Sequence, residues 1–179
     1  MHYSIHFFGL DAKTIGTQFA STPTIFSQQV EQRLRDEDQF SEEDIQGVVT
    51  KVTAICRSQL PKKCDPEYLD AFCWLMEDVA EKITIGSFIG FRHLQFLDDT
   101  GIWPWLLRSP PPFAVPVCED PPPQVGFIIA DEMERLAMPG ISQLPPTDCE
   151  EVNYARQEFL EVLESLASDK LDLLAVLLA

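Results

Sequence analysis

Basic side chains are scarce in this chain: 13 Lys and Arg stand against 29 Asp and Glu, for a formal charge of −16. Nucleic-acid binding needs clustered cations to displace phosphate counterions, and no such cluster occurs. An anionic membrane surface is disfavoured on the same ground. Histidine is rarer still. His2, His6 and His93 are the three copies, and no carboxylate or cysteine lies at ligand spacing beside them. Cys-x-x-Cys and His-Glu-x-x-His are both missing, so the common zinc frameworks have no foothold. Gly86-Ser87-Phe88-Ile89-Gly90 fails the spacing of a nucleophile elbow, and neither the dinucleotide fingerprint nor the phosphate-cradling loop is present. Asp99-Thr100-Gly101 carries the letters of an aspartic protease, but such enzymes need two facing aspartates and this chain has one copy. A helix end closed by glycine explains those letters more simply. No cofactor and no metal are expected, and an enzyme is the minority reading.

Long apolar runs are lacking as well. The C-terminal run from Leu171 to Ala179 is too short to span a bilayer, and residues 1–13 lack the basic and apolar regions of a secretory signal. Five cysteines, Cys56, Cys64, Cys73, Cys118 and Cys149, are odd in number and widely spaced. They are read as reduced thiols, which places the protein in the cytoplasm. What the chain does have is a core: 45% of its 179 residues are hydrophobic, enough for a single globular domain over residues 1–179. The acidic balance would steer a basic partner toward it.

Residues 2–8 alternate Tyr3, Ile5 and Phe7 with polar neighbours, the period of a strand with one buried face. A first helix is expected at Pro23, with Thr22 as N-cap and Phe26, Val30 and Leu34 on its inner face. A second starts at Ser41 with Asp44 three residues on, a capping-box pattern, and buries Ile45, Val48, Val49, Val52, Ile55 and Cys56. The third opens at Asp65-Pro66 and carries Leu69, Phe72, Leu75, Met76, Val79 and Ile83; Cys73 lies beside that stripe and is expected to be buried and inert. A short helix over 91–98, a strand at Val125-Gly126-Phe127-Ile128-Ile129 and a helix from Ala130 to Ala137, stopped by Pro139-Gly140, follow. Residues 150–167 form a strong amphipathic helix with Glu158, Glu161 and Glu164 turned outward. Leucine richness favours helix for 171–178, but the N-terminal strand needs a partner, so this segment is taken as its strand. The fold class is α+β, mostly helical, with a small sheet pairing the N- and C-terminal strands and a long ordered Pro-rich crossover.

Two segments are candidates for partner binding. The stretch from Trp103 to Phe127 holds eight of the fourteen prolines and two of the three tryptophans. Proline triplets cannot be helical, yet Trp103, Trp105 and Phe113 are too apolar for a solvated linker. A stiff extended loop docked on the domain is expected, with its aromatics either packed or forming a partner-binding edge. The densest charge cluster is Asp36, Glu37, Asp38, Glu42, Glu43 and Asp44. It could meet the basic cleft of a partner, or it could be a solvated turn with acids at a helix N-terminus.

Several blocks carry a resemblance. They are the Tyr3-x-Ile5 strand, Phe91-Arg92-His93-Leu94, Trp105-Leu106-Leu107, Ser109-Pro110-Pro111-Pro112, Val125-Gly126-Phe127-Ile128 and Phe159-Leu160-Glu161 before Leu171-Asp172-Leu173-Leu174. In this order the chain resembles an uncharacterised family of bacterial single-domain proteins, and it is distantly similar to YfbM-like domains of unknown function. Relatives of this kind look like proteins encoded beside secreted toxins. The resemblance implies an immunity protein, a monomeric cytosolic inhibitor that occludes the active site of a basic, cytosol-acting cognate toxin. It implies no catalytic residues. The alternatives are a small hydrolase with an acidic cleft and an adaptor that binds through its Pro-rich loop.

Overall fold

The computed structural model describes residues 3–89, 94–118 and 125–178. The alternating N-terminal segment forms strand β1 (Ser4–Leu10), two residues later than the pattern implied; His2 lies outside the described residues. The Leu-rich segment near the C-terminus is strand β4 (Asp172–Leu178). The two pair antiparallel over their full length, from Ser4 opposite Leu178 to Leu10 opposite Asp172. With β2 (Glu81–Ile83) and β3 (Val125–Ile128) they make one antiparallel sheet in the order β2-β1-β4-β3.

The expectation of one buried face is corrected. Phe8, Leu10, Leu174 and Val176 enter one core, while Ile5, Phe7, Leu173, Ala175 and Leu177 enter a second on the other side. The sheet is the middle layer of three. A strand covered on both faces reads as a continuous apolar run rather than an alternation, which is why β4 could be mistaken for a helix.

The first helical layer holds α1 (Ala12–Ser21), α2 (Pro23–Asp36), α3 (Glu42–Cys56) and α4 (Glu67–Val79). Helix α1 is an addition to the sequence reading. Asp11 caps it by accepting from the Thr14 backbone N–H at 3.0 Å, and Ala12, Ile15 and Phe19 give it a narrow buried stripe. Helix α2 starts with Pro23 in its first turn, and α3 has the expected capping box between Ser41 and Asp44. Ile83 does not extend the α4 stripe: the chain becomes extended at Ala80, and Ile83 pairs with Phe7 in the sheet.

The second layer holds α5 (Leu94–Thr100), α6 (Trp103–Leu106), a helical stretch from Ala130 to Ser142, and α9 (Glu150–Asp169). Three expectations change here. The Pro-rich stretch begins as a helix, because Pro104 sits in the first turn of α6, where its missing N–H has no partner to lose. Pro139-Gly140 does not stop the chain. Helix α7 (Ala130–Glu132) passes through a π turn (Met133–Ala137) into α8 (Met138–Ser142), and the wider turn accommodates the proline. Glu158 is not turned outward: its carboxylate accepts from the Ser87 N–H at 3.0 Å and from the Ser87 hydroxyl at 2.5 Å. The Asp-Thr-Gly triplet is a helix end, with Gly101 at φ 65° closing α5. Arg156 of α9 donates to the carbonyls of Asp99, Thr100 and Pro145 there.

After α6 the crossover is extended and returns to the first layer. Phe113 sits edge-on to Phe19 at 5.6 Å and tilted on Phe72 at 6.4 Å. The block at residues 91–93 and the second proline triplet at 121–123 lie outside the described residues. Among the described residues no helix is long and apolar enough to cross a membrane.

One carboxylate ties the layers to the sheet. Asp172 of β4 accepts from the Ala12 N–H at 3.2 Å and from the Ala130 N–H at 2.9 Å, capping α1 and α7 together. Ile129 gives α7 no side-chain cap of its own. Asp172→Ala leaves both donors without this partner and is expected to cost about 2–4 kcal/mol, read as a lower urea midpoint. Asp172→Asn keeps an acceptor and should cost less. A second test concerns Gly140, where an added Cβ would lie 2.1 Å from the Trp105 ring. Gly140→Ala should destabilise by about 1–3 kcal/mol and shift tryptophan fluorescence as Trp105 is displaced.

Candidate functional site: an acidic groove

Where the first layer meets the sheet, α3 and α4 part around a groove of about 720 Å³. Its walls follow helical spacing. Glu43, Asp44, Gly47, Val48 and Lys51 come from α3, and Glu67, Asp70, Cys73, Trp74 and Glu77 from α4. His6 of β1, Leu178 of β4 and Phe40 close the remaining sides. The apolar part is Phe40, Val48, Trp74 and Leu178, with Phe40 edge-on to Trp74 at 5.6 Å.

Five carboxylates line this space, and their charges are unequally matched. Lys51 holds Glu67 at 2.7 Å and lies 5.7 Å from the centre of the Tyr68 ring. Glu77 pairs with Lys82 and, at 3.4 Å, with Arg33. That Arg33 also reaches Asp78 at 3.2 Å, donates to the Trp74 carbonyl and stacks 4.7 Å over the Trp74 ring. It braces α4 from behind. Among the described residues Glu43, Asp44 and Asp70 make no ion pair. Asp44 is held below the usual carboxylate range by the Ser41 hydroxyl and backbone N–H of the capping box. Asp70 is held above it, first by burial and then by the negative charge of Glu67. Burial, followed by the positive Lys82, lowers the His6 imidazole, against the pull of Glu77 and Asp70. The Cys73 thiol is pushed well up by burial and by Asp70 and Glu77, which disfavours its thiolate.

Two members of the acidic turn, Glu43 and Asp44, line the groove. Asp36, Glu37, Asp38 and Glu42 flank it at the α2–α3 corner. Asp38 takes a left-handed conformation at φ 50° just past α2. Glu42 is bound by Arg35 at 2.6 Å, which also holds Glu31 at 2.9 Å; Asp36 accepts from Gln32 at 2.9 Å. The aromatic candidates are elsewhere. Trp103 is buried in the second core, across the sheet from the groove. Trp105 is half-buried against Gly140, with the Arg108 guanidinium 5.0 Å from its ring, and Phe113 is half-buried among Phe19 and Phe72. Sequence reading missed Glu67, Asp70, Trp74 and Glu77. Their spacing of three, four and three residues marked one face of α4, but only the apolar stripe of that helix drew notice.

These features define an α+β protein with a sheet between two helical layers and an acidic, partly apolar groove at one end of the first layer. The chain belongs to the family described as a domain of unknown function, DUF7691, whose model matches residues 1–176. No curated protein and no solved structure matches it.

The raised Asp70 carries a pH test. An acid whose folded value lies above its ordinary 3.8 favours the fold below that value, and the gain is lost as pH rises through the folded value. Ionised Asp70 therefore costs stability at neutral pH. Asp70→Asn is expected to raise the melting temperature at pH 7, with the gain fading as pH falls through the folded value and absent below the ordinary 3.8; paired thermal melts measure both.

Proposed function

We propose that this chain is a binding protein that captures a basic partner protein by seating a cationic segment in the α3–α4 groove. One observation carries the reading: Glu43, Asp44 and Asp70, three carboxylates without ion pairs among the described residues, stand beside an apolar wall of Phe40, Val48, Trp74 and Leu178. A lysine or arginine side chain has that same composition, an aliphatic stem and a charged head. The charge of −16 draws such a partner in and speeds association. Contact between aromatic and apolar groups would then slow release.

The immunity role is the particular form of this function we favour: a cytosolic inhibitor that masks the basic active site of a cognate toxin. The groove and the acidic corner at 36–44 adjoin at Glu43 and Asp44 and would face it together. Trp103 and Phe113 contribute to the core rather than to that surface. A hydrolase has one observation in its favour, the raised Asp70, which is a property of general acids. Its neighbour Cys73 has its thiolate disfavoured by burial.

Co-expression with the products of adjacent genes tests the proposal. The expected result is a one-to-one complex whose affinity falls steeply with salt. Asp70→Lys combined with Glu43→Lys should weaken it at least tenfold, about 1.4 kcal/mol or more, chiefly by slowing association. Unchanged affinity in that double variant would place the partner elsewhere on the molecule.

A further inference from the structure

Away from the groove, the crossover touches the α3–α4 connection through two cysteines. The Cys64 N–H donates to the Val117 carbonyl at 3.1 Å. The Cys118 thiol, one residue on, donates to the Asp65 carbonyl at 3.5 Å, one residue past Cys64. These crossed bonds tie adjacent residues of the two segments to each other. With the planar Val117–Cys118 peptide, the 3.1 Å contact holds the Cα atoms of Cys64 and Cys118 within about 7.3 Å at full stretch, and closer once the hydrogen bond bends at Cys64 N. Disulfides span about 4.4–6.8 Å between Cα atoms. The Cys64 thiol now points to the Pro61 carbonyl at 3.8 Å and the Cys118 thiol to that of Asp65, so closing a bond between them requires the side chains to leave these acceptors. Both residues belong to the first core, and Val117 beside them is 62% exposed.

We propose that Cys64 and Cys118 are a reversible redox pair, closing to a disulfide that clasps the Pro-rich crossover to the loop leading into α4. With a small disulfide such as oxidised glutathione as oxidant, one cysteine thiolate attacks a sulfur of the reagent and expels one glutathione thiolate. The second cysteine attacks the mixed disulfide, forming the Cys64–Cys118 bond and expelling the other. The two protons lost by the protein thiols are taken up by the two glutathiones. Each oxidation thus reduces one molecule of the oxidant. Burial raises both thiols above the ordinary value, so closure is slow and responds to a sustained oxidising environment rather than to a passing one. The clasp acts on the segment that opens α4, the helix that supplies Glu67 and Asp70 to the groove.

The test uses the full chain with the exposed Cys149 replaced, Cys149→Ser, incubated with oxidised glutathione at pH 8.5. Two of the four remaining thiols should be lost. Tryptic peptide 64–82 should be found joined to peptide 109–135, with fragment ions placing the bond at Cys64 rather than Cys73. The melting temperature should rise by several degrees and return on adding dithiothreitol. Lasting glutathione adducts, a bond through Cys56 or Cys73, or four unreacted thiols after prolonged incubation would each overturn the proposal.

Discussion

The pairing of β1 with β4 is the constraint around which the rest of the molecule is arranged. It joins residues from the two ends of the chain, Ser4 opposite Leu178 through to Leu10 opposite Asp172. Alone, a two-stranded ribbon is marginal in water. Here it is stabilised by burial on both faces, with Phe8, Leu174 and Val176 toward α1–α4 and Phe7, Leu173 and Ala175 toward α5–α9. Neither helical layer could cover its apolar stripes without the sheet, and the sheet could not be so apolar without both layers. The edge strands β2 and β3 are short, which limits the open backbone they offer.

The groove follows from the same arrangement. Helices α3 and α4 pack closely where Val52, Ile55, Leu69 and Phe72 fill the core, and they part where their facing residues become acidic. Like charges at the mouth disfavour closure, and the pinned pairs Lys51–Glu67 and Arg33–Glu77 keep the walls in place. The result is a concave, negatively charged site on rigid elements. In the proposed binding role, a site built on helices would receive a cationic chain with little reorganisation, which lowers the entropic cost of binding.

Much of this was legible in the sequence where a local rule had no rival. Ser41 and Asp44 announced the start of α3, and Phe159 with its neighbours announced α9. The Leu171–Leu178 segment was legible only through the argument that Ser4–Leu10 needed a partner. Elsewhere tertiary contacts decided. Ile83 left its helical pattern to pair with Phe7, and Pro139 was absorbed by a π turn. The stripe of α1 is short, three buried residues at Ala12, Ile15 and Phe19, and it follows directly on a strand, so it reads as part of the connection to α2. For the site, the acidic turn at 36–44 pointed to the right corner but not to its depth. Glu67, Asp70 and Glu77 were hidden among 29 acids, because a groove is made by the separation of two helices and no single helix encodes it.

Asp172 has a consequence for how the molecule is made. Its carboxylate completes the N-terminal ends of α1, near residue 12, and of α7, near residue 130, yet it belongs to the last strand in chain order. On the ribosome, the helices of the first layer emerge long before that strand. They can collapse against one another early, but they wait with β1 unpaired on one side and its apolar residues uncovered. Everything from β1 to β4 must be synthesised before the sheet closes, so apolar surface stays uncovered through that interval.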